Sequence, residues 1–588
     1  MKKILLTLLS ILLCINVFAQ NETYYSQGVD LINEGEYEQA VEVLTQSIES
    51  RETPEWLPYL LRSIAYSNTQ KITSALNDTE IALQKINSDK QQKKDKIYWI
   101  YSVRAEIFSS TEDYSKAVSE ITTSIKFSPS KAITKSLLKM RGDYHFWNKN
   151  YGASIKDYNQ VLKQDKTNTT MKVLIVRSIV TEQESQFYRT GKSNTAELKK
   201  ALTLADEVIA AEPDFDAAYK FRVRANVLMN NYGDAIRDAY RFRESYSTIV
   251  TSLSGDDRAI YAEKLFFQCA DLDSAAAEKI LLEKMDNTPD NPLPCYLLAL
   301  LYADEDNHTK GIEMLTQAIN RTDRELGDLL IMRARFYYSN KDYESALNDL
   351  HIAKQQNDSN TYIYYLEGNF YNKMEKWEDA AKSFGEGIRL RPDVSELYVL
   401  RANDYIKMKN FELAQNDMDS ALKLDTTDID VLVSYAYFYM EKGDRKTSNE
   451  MYQKVLNVLD SVAEENELNN EYLAMIYNNI AYNYVKLGDY EQAMTYVQKA
   501  LDYDDESGYI WDTRGELYFC LKKYEECIAD MNKSIEMRNE DGSEPANSYY
   551  YRGRARLELG QTEDGNADIQ KAADLKHEEA MEFLKDKN

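Results

Sequence analysis

The chain has 588 residues, of which 71 are basic and 97 acidic, for a net charge of −26. So acidic a surface argues against nucleic acid, which needs a basic footprint, and against adsorption to anionic lipid. It reads as a solvated exterior, with selection of basic partners as the alternative.

Residues 1–19 read as a targeting signal rather than as part of the fold. Lys2 and Lys3 precede an apolar run from Ile4 to about Val17, and Val17-Phe18-Ala19 supplies a small-x-small cleavage step before Gln20. Removing these residues leaves 69 basic against 97 acidic side chains, a net of −28. The run is shorter than the roughly 20 residues of a membrane span, and no other segment is long and apolar enough to be one. Cys14 raises the alternative of a lipoprotein, but Leu13 stands where such signals carry a small residue. The expectation is a cleaved signal peptide and an exported protein, periplasmic or secreted.

From Tyr24 onward, large and small residues recur about every 34 positions. In the first unit Gly28 and Ala40 are small residues at a helix crossing, surrounded by Tyr24, Leu31, Tyr37 and Leu44, with a turn at Glu34-Gly35-Glu36. Tyr101, Ala105, Phe108, Tyr114 and Ala117 repeat the pattern. A stretch at 181–196 inserts about ten residues, and 246–290 is helical but fits poorly. The clearest copy is Tyr364, Gly368, Tyr371, Trp377, Ala380, Phe384 and Gly387. It recurs one period on as Tyr398, Ala402, Tyr405, Phe411, Ala414, Met418 and Ala421. After an irregularity at 458–472 come Tyr477, Ala481, Tyr484, Tyr490 and Ala493, then Trp511, Gly515, Tyr518 and Tyr524. All nine prolines fall at seams between units, where a helix starts or stops, sparing the helices a penalty of ~3 kcal/mol each. A last helix, Ala572 to Leu584, is expected to cap the array.

This period and residue order resemble the tetratricopeptide repeat. The resemblance implies an all-α, right-handed superhelical solenoid of about 15 helix hairpins (helices A and B) with a C-terminal capping helix. The expected organisation is an N-terminal array over 20–245, a degenerate helical junction over 246–290, and a C-terminal array with its cap over 291–588.

An arginine in helix A is followed, at a constant separation, by an acid in helix B. The pairs are Arg62/Asp78, Arg104/Glu120, Arg141/Asp157, Arg222/Asp238, Arg333/Asp349, Arg401/Asp417, Arg514/Asp530 and Arg552/Asp568. Because the acid recurs with the arginine, each pair is expected to fix the register of its hairpin. An anion-binding ladder is the alternative.

The resemblance also implies a ligand along a concave face lined by helix A. Its groove positions here are Tyr362, Tyr365, Asn369 and Asn372; Ile331, Arg335 and Tyr338; Val399, Asn403 and Ile406; and Asn478, Tyr482 and Val485. Amides suit the backbone of an extended peptide, and tyrosines give rigid contact area. The same groups stack against sugars. The family's carboxylate clamp needs a lysine with an asparagine one helical turn after it. Tyr365/Asn369, Val399/Asn403 and Asn478/Tyr482 lack the lysine, and Lys220/Arg224 lacks the asparagine.

His145, His308, His351 and His577 are scattered, and no phosphate loop, nucleophile elbow or His-Glu-x-x-His pair occurs. The chain is therefore expected not to be an enzyme and to use no cofactor or metal. Among the cysteines, Cys520 and Cys527 are placed either to pair across a hairpin or to remain free, with Cys527 buried; Cys269 and Cys295 show no metal spacing. The leading functional expectation is a non-catalytic adaptor of the cell envelope that binds proteins or peptides in the groove. A glycan-binding module is the alternative.

Overall fold

A computed structural model describes residues 23–587 apart from 53, 89, 252–255, 323, 463–469 and 541. The signal region, Cys14 and the centre of the 458–472 irregularity lie outside the described residues. Among the described residues there are thirty-one helices and no strand. They alternate as fifteen A/B pairs, from Tyr24–Glu34 and Tyr37–Glu49 to Ala546–Glu558 and Thr562–Asp574, followed by a last helix, Glu578–Lys587. The all-α repeat expected from the sequence period is thus the observed one.

Two local rules generate each hairpin. The first is the turn: in fourteen of the fifteen A-to-B connections one residue is left-handed, such as Gly35 (φ 86°), Gln70 (60°), Lys341 (62°) or Lys409 (56°). That residue lets the chain reverse in about three positions and is more often not glycine. The second is the crossing. A Cβ on Gly28 would stand 2.5 Å from Leu44, one on Gly368 2.5 Å from the Phe384 ring, and one on Gly515 2.8 Å from Met531. Ala40, Ala380, Ala402, Ala414, Ala481 and Ala493 are fully buried. Gly368→Ala is expected to lower stability by about 1–3 kcal/mol through overpacking, read by urea denaturation; an unchanged midpoint would place Gly368 away from the crossing.

The prolines lie in connections, at N-caps or in first turns: Pro58 and Pro294 sit at the start of Leu57–Asn68 and Leu293–Asp304, and Pro545 is an N-cap. All eight Arg–acid pairs form. Seven are bidentate, as in Arg141 to Asp157 at 2.7 Å for both bonds, and Arg104–Glu120 is a single contact of 3.2 Å. The guanidinium also reaches back to the preceding B helix: Arg62 donates to Thr45 (2.9 Å), Arg141 to Thr122 (3.3 Å), Arg333 to Thr316 (3.0 Å) and Arg552 to Asn532 (2.7 Å). Each such arginine therefore joins its own hairpin and staples it to its neighbour.

The irregular stretches have physical causes. The insertion at 181–196 is mostly helix: Thr169–Thr190 runs 22 residues before Gly191 (φ 68°) ends it. Residues 246–290 contain a hairpin, Asp257–Ala270 and Ser274–Asn287. The loop before it is anchored by the fully buried Arg243, which donates to Ile249 O (2.8 Å) and pairs with Glu263 (3.3 Å). The capping helix starts later than expected. Ala572–Asp574 end the preceding helix, Lys576 turns left-handed (φ 64°), and the cap begins at Glu578 with Ala580 buried.

The chain divides into two compact units, residues 23–307 with 320–322, and 308–319 with 324–587. In the second unit, Tyr550 stacks on His577 (4.6 Å), and Tyr549, Tyr551 and Phe583 pack around Ile569 and Ala580. The described thiols are free, and Cys527 is buried beside Met531 and Ala555.

Candidate functional site

Toward either chain end, several charged side chains at the groove spacing of helix A are paired within their own unit. In the first unit, Tyr158 donates to Asp143 (2.6 Å), Arg177 donates to the Tyr158 hydroxyl (3.2 Å) and lies over Phe146 (3.8 Å), and Lys139 pairs with Asp143 (2.9 Å). Glu106 has its pKa pushed up to about 7 by burial, with the Asp143 charge adding to the rise, and the Tyr144 hydroxyl is buried without a hydrogen-bond partner. Near the C-terminus, Lys486 pairs with Glu516 (2.5 Å), which also accepts from Tyr551 (2.9 Å). Burial raises the Tyr551 pKa, and the Glu516 charge raises it further.

The first A helices of the second unit are different. On Thr361–Lys373, the half-buried Tyr362 and Tyr365 stack at 6.0 Å and 14°. Asn369 donates its amide to Tyr365 O (3.0 Å). The Tyr365 hydroxyl has its pKa raised by burial and by neighbouring Glu396. On the preceding A helix, Tyr338 stacks on Phe370 at 4.6 Å and 18°, and Arg335 is exposed. The Oδ1 atoms of Asn372, Asn403 and Asn478 are buried without a hydrogen-bond partner. Tyr482 lies between two cations, Arg445 (5.2 Å) and Lys486 (5.0 Å). Ile331, Ile406 and Val485 are buried in the core, so they do not line an open face, while Val399 is half-buried. Lys220 sits over Tyr261 (4.4 Å) and Arg224 pairs with Glu184, so neither is free for an incoming carboxylate.

Thus Tyr362, Tyr365 and Asn369 share one helix face, Tyr338 joins Phe370, and Asn478 and Tyr482 stand apart on Asn470–Leu487. Reading the groove positions missed two features. One is the charged first-unit cluster, which the repeat offset would have reached. The other is Asp404, which is 1% exposed and hydrogen-bonded by Asn372, with its pKa pushed up to about 7 by burial. Where the Arg–acid pair gives way to Ile480 and Tyr496, a hollow of about 520 Å³ opens beside Tyr484 and Leu487. These A-helix side chains offer hydrogen-bond acceptors and aromatic faces. Among the described residues no group of three or more His, Cys, Asp or Glu side chains is placed to hold a metal, and no helix is long and apolar enough to cross a membrane.

Residues 474–507 and 509–541 match the family model described as tetratricopeptide repeat. No curated protein matches the chain. Among solved structures the chain is similar to a tetratricopeptide repeat protein from Parabacteroides merdae, at 16% identity and a TM-score of 0.35, covering 44% of this chain and 93% of that one. It is also similar to Naa15/Naa10 bound to HypK-THB (13% identity, TM-score 0.39, 92% and 96% covered) and to yeast Tom70 (15%, 0.34, 77% and 94%).

Proposed function

We propose that this chain, which is a tetratricopeptide repeat protein, is a non-catalytic adaptor of the bacterial cell envelope that holds partner proteins or peptides along the A-helix face of its second unit. A repeat scaffold of this kind serves protein interaction. The location of the site is carried by one observation: the orphaned acceptors Asn372 Oδ1, Asn403 Oδ1 and Asp404 Oδ2 fall on two successive A helices, the first of which carries the Tyr362/Tyr365 stack. Asn372 Oδ1 and Asn403 Oδ1 lack partners, and Asn372 shares its helix with the Tyr362/Tyr365 stack, whereas Asp143 and Glu516, toward the chain ends, each have a lysine and a tyrosine partner. A buried acceptor without a donor costs about 1–3 kcal/mol, a deficit that a peptide N–H relieves on binding. The adaptor is read as exported from Lys2, Lys3 and the apolar run that follows.

The test is in-cell crosslinking of a C-terminally tagged copy, with mass spectrometry of what co-purifies from the envelope. One or two stoichiometric proteins are the expected result. A preparation free of protein partners, together with retardation on polysaccharide affinity gels, would favour glycan capture instead. With a partner in hand, the double variant Asn369→Ala/Asn403→Ala is expected to weaken binding about tenfold, or about 1.4 kcal/mol, while circular dichroism and Tm change little. Equal loss of folding would make both asparagines structural.

A further inference from the structure

Four successive A helices place a residue at one recurring core position: Phe336, Phe370, Asp404 and Phe438, each one repeat period from the next. All four are buried, at 6%, 2%, 1% and 0% exposure. The partner position on the preceding helix is equally regular. Tyr338 stacks on Phe370, and Asn372, which takes the place of Tyr338 one period later, hydrogen-bonds the Asp404 carboxyl. At this one junction an amide and an acid replace two aromatic rings.

The acid also differs from the other buried aspartates. Seven other aspartates among the described residues are buried: Asp78, Asp157, Asp238, Asp349, Asp417, Asp530 and Asp568. Every one is gripped by an arginine at 2.6–2.7 Å. Asp404 has no such arginine. Its Oδ2 is buried without any hydrogen-bond partner, as are Asn372 Oδ1 and the Oδ1 of the adjacent Asn403. The only influences that move its titration are burial and the Asn372 amide, so no neighbouring charge stabilises the carboxylate. The junction therefore holds three acceptor atoms that the neighbouring donors leave unpartnered. A guanidinium supplies five N–H groups in one plane, and an ammonium supplies three.

We propose that Asp404, with Asn372 and Asn403, is the recognition site for an arginine or lysine side chain of a protein partner. The partner's cation takes the place that the fold's own arginines take at the seven other buried aspartates. This deepens the groove reading above and rests on it. Asn372 and Asn403 are only half-buried, whereas Asp404 is 1% exposed, so the proposed cation approaches past the two amides. The chain's net charge of −26 favours encounter with basic segments.

The proposal is tested with phage-displayed random dodecapeptides selected on the full chain, on Asp404→Phe and on Asp404→Asn. Phenylalanine restores the residue of the flanking repeats, and asparagine keeps the shape while removing the charge, so at least one variant keeps the fold. Wild-type selections are expected to converge on an arginine or lysine at a fixed place. A synthetic peptide from that pool is expected to bind wild type about tenfold more tightly than its copy with methionine at that place. Both variants are expected to bind the two peptides equally. Wild-type peptides without basic enrichment, or a basic preference that survives in both variants, would overturn the proposal and leave groove binding standing. Selection of no peptide at all would overturn both.

Discussion

Arg333→Ala is expected to lower the stability of the second unit by about 3–5 kcal/mol, because it leaves a carboxylate buried without its counter-charge. Asp349 is 1% exposed and accepts two bonds from Arg333, Nε to Oδ2 and Nη2 to Oδ1, both 2.7 Å. The remaining Nη1 donates to Thr316 on the preceding B helix at 3.0 Å. One deletion therefore orphans a buried anion and removes a link between neighbouring hairpins. Urea denaturation would give the size, and hydrogen exchange would place the loosening at 308–356. Arg333→Met with Asp349→Leu is expected to recover most of the loss, since the desolvation of both charges disappears with them. Arg333→Lys is expected to recover little, because an ammonium lacks the planar fork. Stability unchanged in Arg333→Ala would point to the other reading of these residues, an arginine ladder held for an anionic ligand.

These pairs were legible in the sequence because antiparallel helices joined by a short turn bring residues at that constant separation into register. The fold was legible for a related reason. A helix crossing as close as Gly368 on Phe384 tolerates only small residues, and that demand returns with every hairpin. The double role of each arginine was not legible, since the bond to Thr316 or Thr45 depends on how one hairpin sits on the next. The extra length of the irregular units was legible, but not the form it takes. Residues 181–190 simply continue a helix until a left-handed glycine stops it, while the loop after 245 depends on one buried guanidinium, Arg243.

The candidate site was half visible. Its tyrosines and asparagines fall at positions the family resemblance supplies, yet Ile331, Ile406 and Val485 proved to be core. Position in a repeat does not say whether a neighbouring hairpin covers a side chain. Asp404 escaped because it occupies the core position beside the groove positions, where the resemblance places no ligand contact. The register alone carried the signal, as an acid in a column of phenylalanines.

That acid gives the second large effect, which depends on pH. The Asp404 carboxyl titrates at about 7 in the folded chain against a usual value of 3.8. A raised folded pKa means that the acid form is the one the fold accommodates. Its contribution is fully present below about pH 3.8 and is lost as pH rises through 7. Roughly three pKa units at about 1.4 kcal/mol each put the loss near 4 kcal/mol by pH 8. Asp404→Asn removes this titration, so the variant is expected to match wild type near pH 4 and to exceed it by about 4 kcal/mol at pH 8. Denaturation midpoints of the two proteins across that range would show it, the difference between them cancelling every other titrating group. Curves that run parallel would mean that Asp404 is ionised and satisfied in the free protein, leaving a partner's cation nothing to relieve. Diverging curves would show stability forgone at neutral pH at one junction in the array. A bound arginine or lysine is expected to restore it by holding the carboxylate ionised, so that wild type gains more from a cationic peptide at pH 8 than at pH 5.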